Sequence, residues 1–82
     1  MTSTVQPLAG QILDFLVEEY DIPAGTPAET PFLDLGFDSL VLIETAVALK
    51  KRYGVVVTDG DLLEAGSVAG TVRLLAAQGV TA

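Results

Sequence analysis

Cysteine and histidine are both missing from this 82-residue chain. Without cysteine there is no disulfide, no zinc–thiolate site and no thiol nucleophile, although the absence decides nothing about compartment. Without histidine, neither a Ser-His-Asp triad nor a histidine metal site can be assembled. Positive charge is scarce as well: four Lys and Arg stand against eleven Asp and Glu, a formal net charge of −7. Nucleic acid is therefore a poor partner, because phosphate contacts need clustered cations. The acidity serves solubility or steers the chain toward basic protein surfaces, and charge alone does not choose between these. No apolar run approaches the roughly 18 residues of a membrane span. The first residues, Met1-Thr2-Ser3-Thr4-Val5-Gln6-Pro7, lack the basic start and apolar core of a signal peptide. The expectation is a cytoplasmic protein with no membrane and no nucleic-acid partner.

What the chain does have is apolar surface to bury. Half of its residues are hydrophobic, which favours a folded chain. The length suits one small domain over residues 1–82, a monomer, with 1–6 frayed. Such a domain buries only about 60% of its unfolded surface, so a deep catalytic cleft is not expected.

Leu8, Ile12, Phe15 and Leu16 share one face at helical spacing and predict a first helix over Pro7 to Tyr20. Pro7 suits its first turn. Residues 21–38 hold Pro23, Gly25, Pro27 and Pro31, too closely spaced for a helix. So long a connection is often functional. Its apolar residues Ile22, Phe32, Leu33, Leu35 and Phe37 predict that it packs down onto the core, with Gly36 supplying a positive φ. A second helix is read from Ser39 to Tyr53, with Leu42, Ile43, Ala46, Leu49 and Tyr53 on its apolar face and Gly54 as its C-terminal cap. Lys50, Lys51 and Arg52, three of the four cations, fall in its last turn, where they complement the helix dipole. Val55-Val56-Val57 has strand propensity but no partner strand, so it reads as an extended, partly buried loop. Thr58 or Asp59 caps a short helix over about Asp61 to Ala65. Ser67 caps a last one over about Val68 to Gln78, with Val68, Val72, Leu75 and Leu74 inward and Gly79 ending it. The fold class is all-α: a four-helix bundle of three main helices plus a short third one, with a long first loop.

The most informative stretch is Leu35-Gly36-Phe37-Asp38-Ser39-Leu40. It sets a serine at a helix start, at the exit of the long loop. Alone, Asp38-Ser39 before a helix reads as an ordinary N-cap, supplied by either residue. A helix start also carries unpaired N–H groups and partial positive charge, so a phosphate attached to Ser39 would be held there. Asp38 could hold a metal ion during phosphoryl transfer or orient a docking enzyme. Leu40 and Val41 set an apolar patch beside the hydroxyl, of the kind partner proteins recognise.

Asp34-Leu35-Gly36-Phe37-Asp38-Ser39-Leu40 resembles the 4′-phosphopantetheine attachment signature of acyl carrier proteins. Leu42-Ile43-Glu44-Thr45-Ala46 and Arg52-Tyr53-Gly54-Val55 extend the resemblance to carriers of type II aromatic polyketide synthases. It is specific over about residues 32–59. The resemblance implies the four-helix carrier fold and a non-catalytic protein. In it, Ser39 receives phosphopantetheine from coenzyme A through a separate phosphopantetheinyl transferase that uses magnesium, with Asp38 in support. The missing cysteine then makes sense, since the reactive thiol comes with the cofactor. Leu40, Val41 and Glu44 would face the ketosynthase, acyltransferase and tailoring enzymes. A peptidyl or fatty-acid carrier, or a helical adaptor with unmodified Ser39, are the alternatives.

The chain departs from the family in two places. Lys50-Lys51-Arg52 makes the distal end of the second helix basic where many carriers are acidic, which concentrates docking near Ser39. The segment from Asp59 to Gly66 lacks the Ile-Pro start common in the group. Asp59-Gly60-Asp61 and Glu64 do not have the spacing of a calcium loop. Asp34 and Asp38 read as turn and cap residues rather than an acid–base pair. Tyr20 and Tyr53, at helix ends, read as core-edge residues with wet hydroxyls. Ala46, Val47 and Ala48 leave the second helix short of side-chain volume, either for close packing or for a shallow groove that takes an attached chain.

Overall fold

The computed structural model describes residues 7–80. They form α1 (Leu8–Tyr20), a 3₁₀ turn (Phe32–Leu35), α2 (Ser39–Tyr53), α3 (Asp59–Ala65) and α4 (Val68–Ala77). The expected fraying of residues 1–6 falls outside the described residues. The fold is all-helical; none of the described helices is long and apolar enough to cross a membrane.

Three of the four helices start where a short polar side chain takes a first-turn N–H. Asp38 Oδ1 accepts from Val41 N at 3.0 Å, Thr58 Oγ1 from Asp61 N at 3.0 Å, and Ser67 Oγ from Gly70 N at 3.1 Å. Asp61 returns the favour to Thr58 N, completing a capping box. That box starts α3 at Asp59, two residues earlier than the spacing predicted, and it gives Asp61 a structural task. α1 has no side-chain cap; Pro7 is its N-cap residue, so the helix begins at Leu8.

α2 packs on α3, α3 on α4, and α4 on α1. The core between them is Leu8, Ile12 and Leu16 of α1, Leu42, Ala46 and Leu49 of α2, Leu62 of α3, and Val68 and Leu75 of α4. Ile22, Phe32, Phe37 and Val55 enter it from the connections. Leu33, in contrast, is 72% exposed, so the loop buries fewer of its apolar residues than expected. Ile43, which the spacing assigns to the inward face of α2, is 46% exposed, and Thr45 is buried in its place. Thr45 tolerates this because its hydroxyl donates to Val41 O at 2.8 Å. Thr71 of α4 is buried by the same device, donating to Ser67 O at 2.9 Å.

Two backbone hydrogen bonds fasten the long loop to the α3–α4 junction. Phe32 N donates to Gly66 O and Ala69 N to Ala28 O, both at 2.8 Å. Beside them Pro31 and Ser67 form an isolated bridge. The extended Val55–Val57 segment is secured differently. The Gln78 side-chain amide pairs with both backbone groups of Val56, accepting at 3.3 Å and donating at 3.2 Å. A single glutamine thus serves where a partner strand was lacking.

Two glycines test this packing by different mechanisms. Gly36 has φ of 74° with open space where a Cβ would stand, so Gly36→Ala costs about 1 kcal/mol of left-handed strain. At Gly70 a Cβ would overlap the rigid Ala65 carbonyl. That overlap costs about 3 kcal/mol, offset by about 1 kcal/mol of better helix propensity. Urea unfolding should therefore show Gly70→Ala as the more destabilised of the two.

Candidate functional site

The site forms where the long loop runs into α2. Gly36, in the left-handed region, ends the 3₁₀ turn and donates to Leu33 O at 3.1 Å. Phe37 then turns inward and Asp38 outward. Phe37 stacks on Phe32 with ring centroids 5.6 Å apart. It also meets Tyr20 edge-on at 5.7 Å, and Tyr20 meets Phe15 edge-on at 6.1 Å. Arg52 sets its guanidinium over the Phe15 ring at 4.8 Å. The residues just before the helix are held by this row of rings, each pair adding about 1 kcal/mol beyond its area burial.

Asp38 and Ser39 divide the two roles that the sequence left open between them. Asp38 is the N-cap, in extended backbone, with its carboxylate on Val41 N. Ser39 is the first residue of the helix and is exposed. Among the described residues its hydroxyl makes no hydrogen bond. The N–H groups of Ser39 and Leu40 have no acceptor within the helix, as in any first turn. An exposed, uncommitted hydroxyl therefore stands beside two free donors at the positive end of a 15-residue helix. These features fit a phosphodiester on that hydroxyl. Asp34, on the 3₁₀ turn, is exposed.

The remaining predicted positions separate. Leu40 is 60% exposed and flanks Ser39. Val41 is half-buried and packed against the core, so it offers little surface. The exposed apolar positions on α2 are instead Ile43 and Val47, the latter at 50%. With Leu40 they lie at steps of three and four on one stripe. Glu44 is exposed, but its Oε1 accepts a hydrogen bond from the Tyr20 hydroxyl at 2.9 Å. The Tyr53 hydroxyl likewise donates to Gln11 Oε1 at 2.9 Å. Both tyrosines sit at the core edge as expected, half-buried against it, but their hydroxyls are engaged by side chains rather than by water alone, and both bridge α1 to α2.

The family described as the phosphopantetheine attachment site matches residues 10–75. The chain belongs to it. Its members carry phosphopantetheine and are carriers rather than catalysts, partnered by a phosphopantetheinyl transferase and synthase enzymes. This chain is 37% identical over 71 residues to an acyl carrier protein of Thermobifida fusca (strain YX), covering 79% of this chain and 90% of that protein. It is 38% identical over 47 residues to a siderophore peptide synthetase of Mycosarcoma maydis. That match covers 57% of this chain but 1% of the synthetase. No solved structure matches significantly.

The Tyr20–Glu44 link makes a pH-dependent prediction. Burial, then the hydrogen bond from its hydroxyl to Glu44 and the charge of that carboxylate, push the Tyr20 phenol above its ordinary value of 10.0. The neutral phenol is the form the fold favours, so this stabilisation is full below about pH 10 and fades as pH rises through the shifted pKa. Tyr20→Phe should lower stability by about 0.5–1 kcal/mol at neutral pH. The gap between wild type and variant should shrink in strong alkali, which urea midpoints across the pH range would record.

Proposed function

We propose that the chain is a discrete acyl carrier of a dissociated polyketide pathway, with Ser39 as the attachment residue. It acts as one carrier domain, a monomer in the cytoplasm. The observation that carries the assignment to Ser39 is its exposed, uncommitted hydroxyl at the first position of a helix capped by the neighbouring Asp38. Its oxygen attacks the phosphorus of coenzyme A nearest the pantetheine, the pyrophosphate bond breaks, the nucleotide half leaves and the hydroxyl proton is lost. The first-turn N–H groups and the helix dipole favour the charged diester that results. Phosphopantetheine bound there supplies the thiol this chain lacks, on which acyl groups travel as thioesters. Asp38, beside Ser39 on this chain, supports the transfer by the transferase. Leu40 and the exposed stripe of α2 face ketosynthase, acyltransferase and tailoring enzymes. The polyketide class rests on Gly36-Phe37-Asp38-Ser39-Leu40, Glu44-Thr45-Ala46 and Arg52-Tyr53-Gly54-Val55, which resemble carriers of that type.

A second reading has an observation of its own. The similarity to a siderophore peptide synthetase favours a peptidyl carrier. Charging tests separate the two: a ketosynthase pair accepts acyl groups from the polyketide carrier, whereas an adenylating enzyme loads the peptidyl one.

Incubation with coenzyme A, magnesium and a promiscuous transferase should raise the intact mass by one phosphopantetheine. Because Asp38 and not Ser39 is the cap, Ser39→Ala keeps the fold and should take up nothing. An unmodified wild type, with the transferase shown active on another carrier, contradicts the assignment. Asp38→Asn preserves the cap, so its stability should match wild type. Its modification should slow about tenfold if the charge supports the metal-assisted step.

A further inference from the structure

The 3₁₀ turn ahead of Ser39 sorts its apolar residues with a period of three. Phe32 is buried and Leu35 packs against the core, whereas Leu33 between them is turned out and 72% exposed. The turn itself does not need a leucine there. Four backbone hydrogen bonds hold it, and the side chain at position 33 takes part in none of them. Phe32 N donates to Gly66 O at 2.8 Å, Asp34 N to Pro31 O at 2.9 Å, Gly36 N to Leu33 O at 3.1 Å and Phe37 N to Phe32 O at 3.2 Å. A lone exposed leucine is ordinary on a protein surface. This one is presented on a fixed backbone, six residues before Ser39. The stretch between them is sorted in the same way: Asp34, Gly36, Asp38, Ser39 and Leu40 are exposed while Phe37 is buried. Gly36 has open space where a Cβ would stand, so nothing covers the backbone between Leu33 and Ser39 at that point.

We propose that Leu33 is a recognition residue for the phosphopantetheinyl transferase, which receives it in an apolar pocket while Leu40 is received on the other side of Ser39. The proposal rests on Ser39 being the attachment residue. Continuity with that residue selects the occupant. The transferase must bring coenzyme A to the Ser39 oxygen itself, so its surface closes over whatever flanks that oxygen. Later partners meet a thiol at the far end of the arm and can stand off from the loop. Two leucines, one from the turn and one from α2, also fix the direction from which the hydroxyl is offered; a contact at Leu40 alone leaves the carrier free to pivot about it. Both are apolar among the exposed carboxylates Asp34 and Asp38, the pattern of a small apolar contact with a polar rim. Because the turn is ordered in advance, seating Leu33 restricts little beyond its own side chain. Such a contact is the same before and during the reaction, so it acts on KM and not on kcat.

The test follows steady-state transfer from coenzyme A to the full chain by a transferase active on the wild type, with the carrier concentration varied and intact mass as the readout. Leu33→Gln should raise KM about tenfold with kcat unchanged, the effect of losing one apolar contact. Leu33→Met keeps the apolar reach and should stay within about twofold of wild type. Val56→Gln is the control: Val56 is 73% exposed on the connection from α2 to α3, and its variant should match wild type. Urea midpoints should be the same for all three, since each changes an exposed side chain. A Leu33→Gln chain with the wild-type KM overturns the proposal, and so does a rise in KM that Val56→Gln reproduces. A fall in kcat alone, or a loss of stability in Leu33→Gln, makes the residue a positioning or structural one and overturns it equally. A wild type that no transferase loads removes the assignment of Ser39 and this proposal together. A wild type that is loaded, with Leu33→Gln unaffected, removes this proposal only.

Discussion

Four of the chain's five aromatic rings form one continuous row, Phe32 on Phe37 on Tyr20 on Phe15, and the start of α2 hangs on it. The loop they hold is long and rich in proline, and ordering it costs about 1 kcal/mol or more per residue in backbone freedom. Three ring pairs at about 1 kcal/mol each cannot offset that alone. The burial of Ile22, Phe32 and Phe37 contributes more, at about 2 kcal/mol per large side chain. The two backbone bonds to the α3–α4 junction then fix where the loop lies. What the rings decide is direction: with Phe37 turned in, Asp38 and Ser39 must turn out at the start of α2.

The result separates two functions that one helix start usually combines. The carboxylate of Asp38 satisfies the donor of Val41, which frees the hydroxyl of Ser39 from any structural duty. At the other end of the same helix, Lys51 lines an open recess between α1 and α2, and Arg52 lies over the Phe15 ring. The basic triplet therefore does more than complement the dipole of its helix. Two of its three members belong to the face shared with α1.

The bounds of α2 and the left-handed Gly36 and Gly54 were legible because caps and glycines act locally, within a few residues of sequence. The all-helical fold followed from apolar spacing in the same way. Thr45 and Thr71 were not legible as core, since a polarity pattern places threonine outside; only the bond from each hydroxyl to the carbonyl four residues back makes the burial affordable. Ile43 was misassigned because α2 buries a narrow stripe against α3 and the core, leaving Ile43 beyond its edge. The hydroxyl partners of Tyr20 and Tyr53 lie 24 and 42 residues away, beyond any local signal. The pairing of Gln78 with Val56 was invisible for the same reason.

The central claim is that the site is built before anything is attached to it. The most direct measurement compares ring-to-ring proton contacts and the exchange protection of the Val41 amide in the unmodified chain and after phosphopantetheine transfer. The account predicts that the Phe32–Phe37 and Phe37–Tyr20 contacts, and the protection given by Asp38, are present in both forms and unchanged. Contacts and protection that arise only after transfer would contradict it.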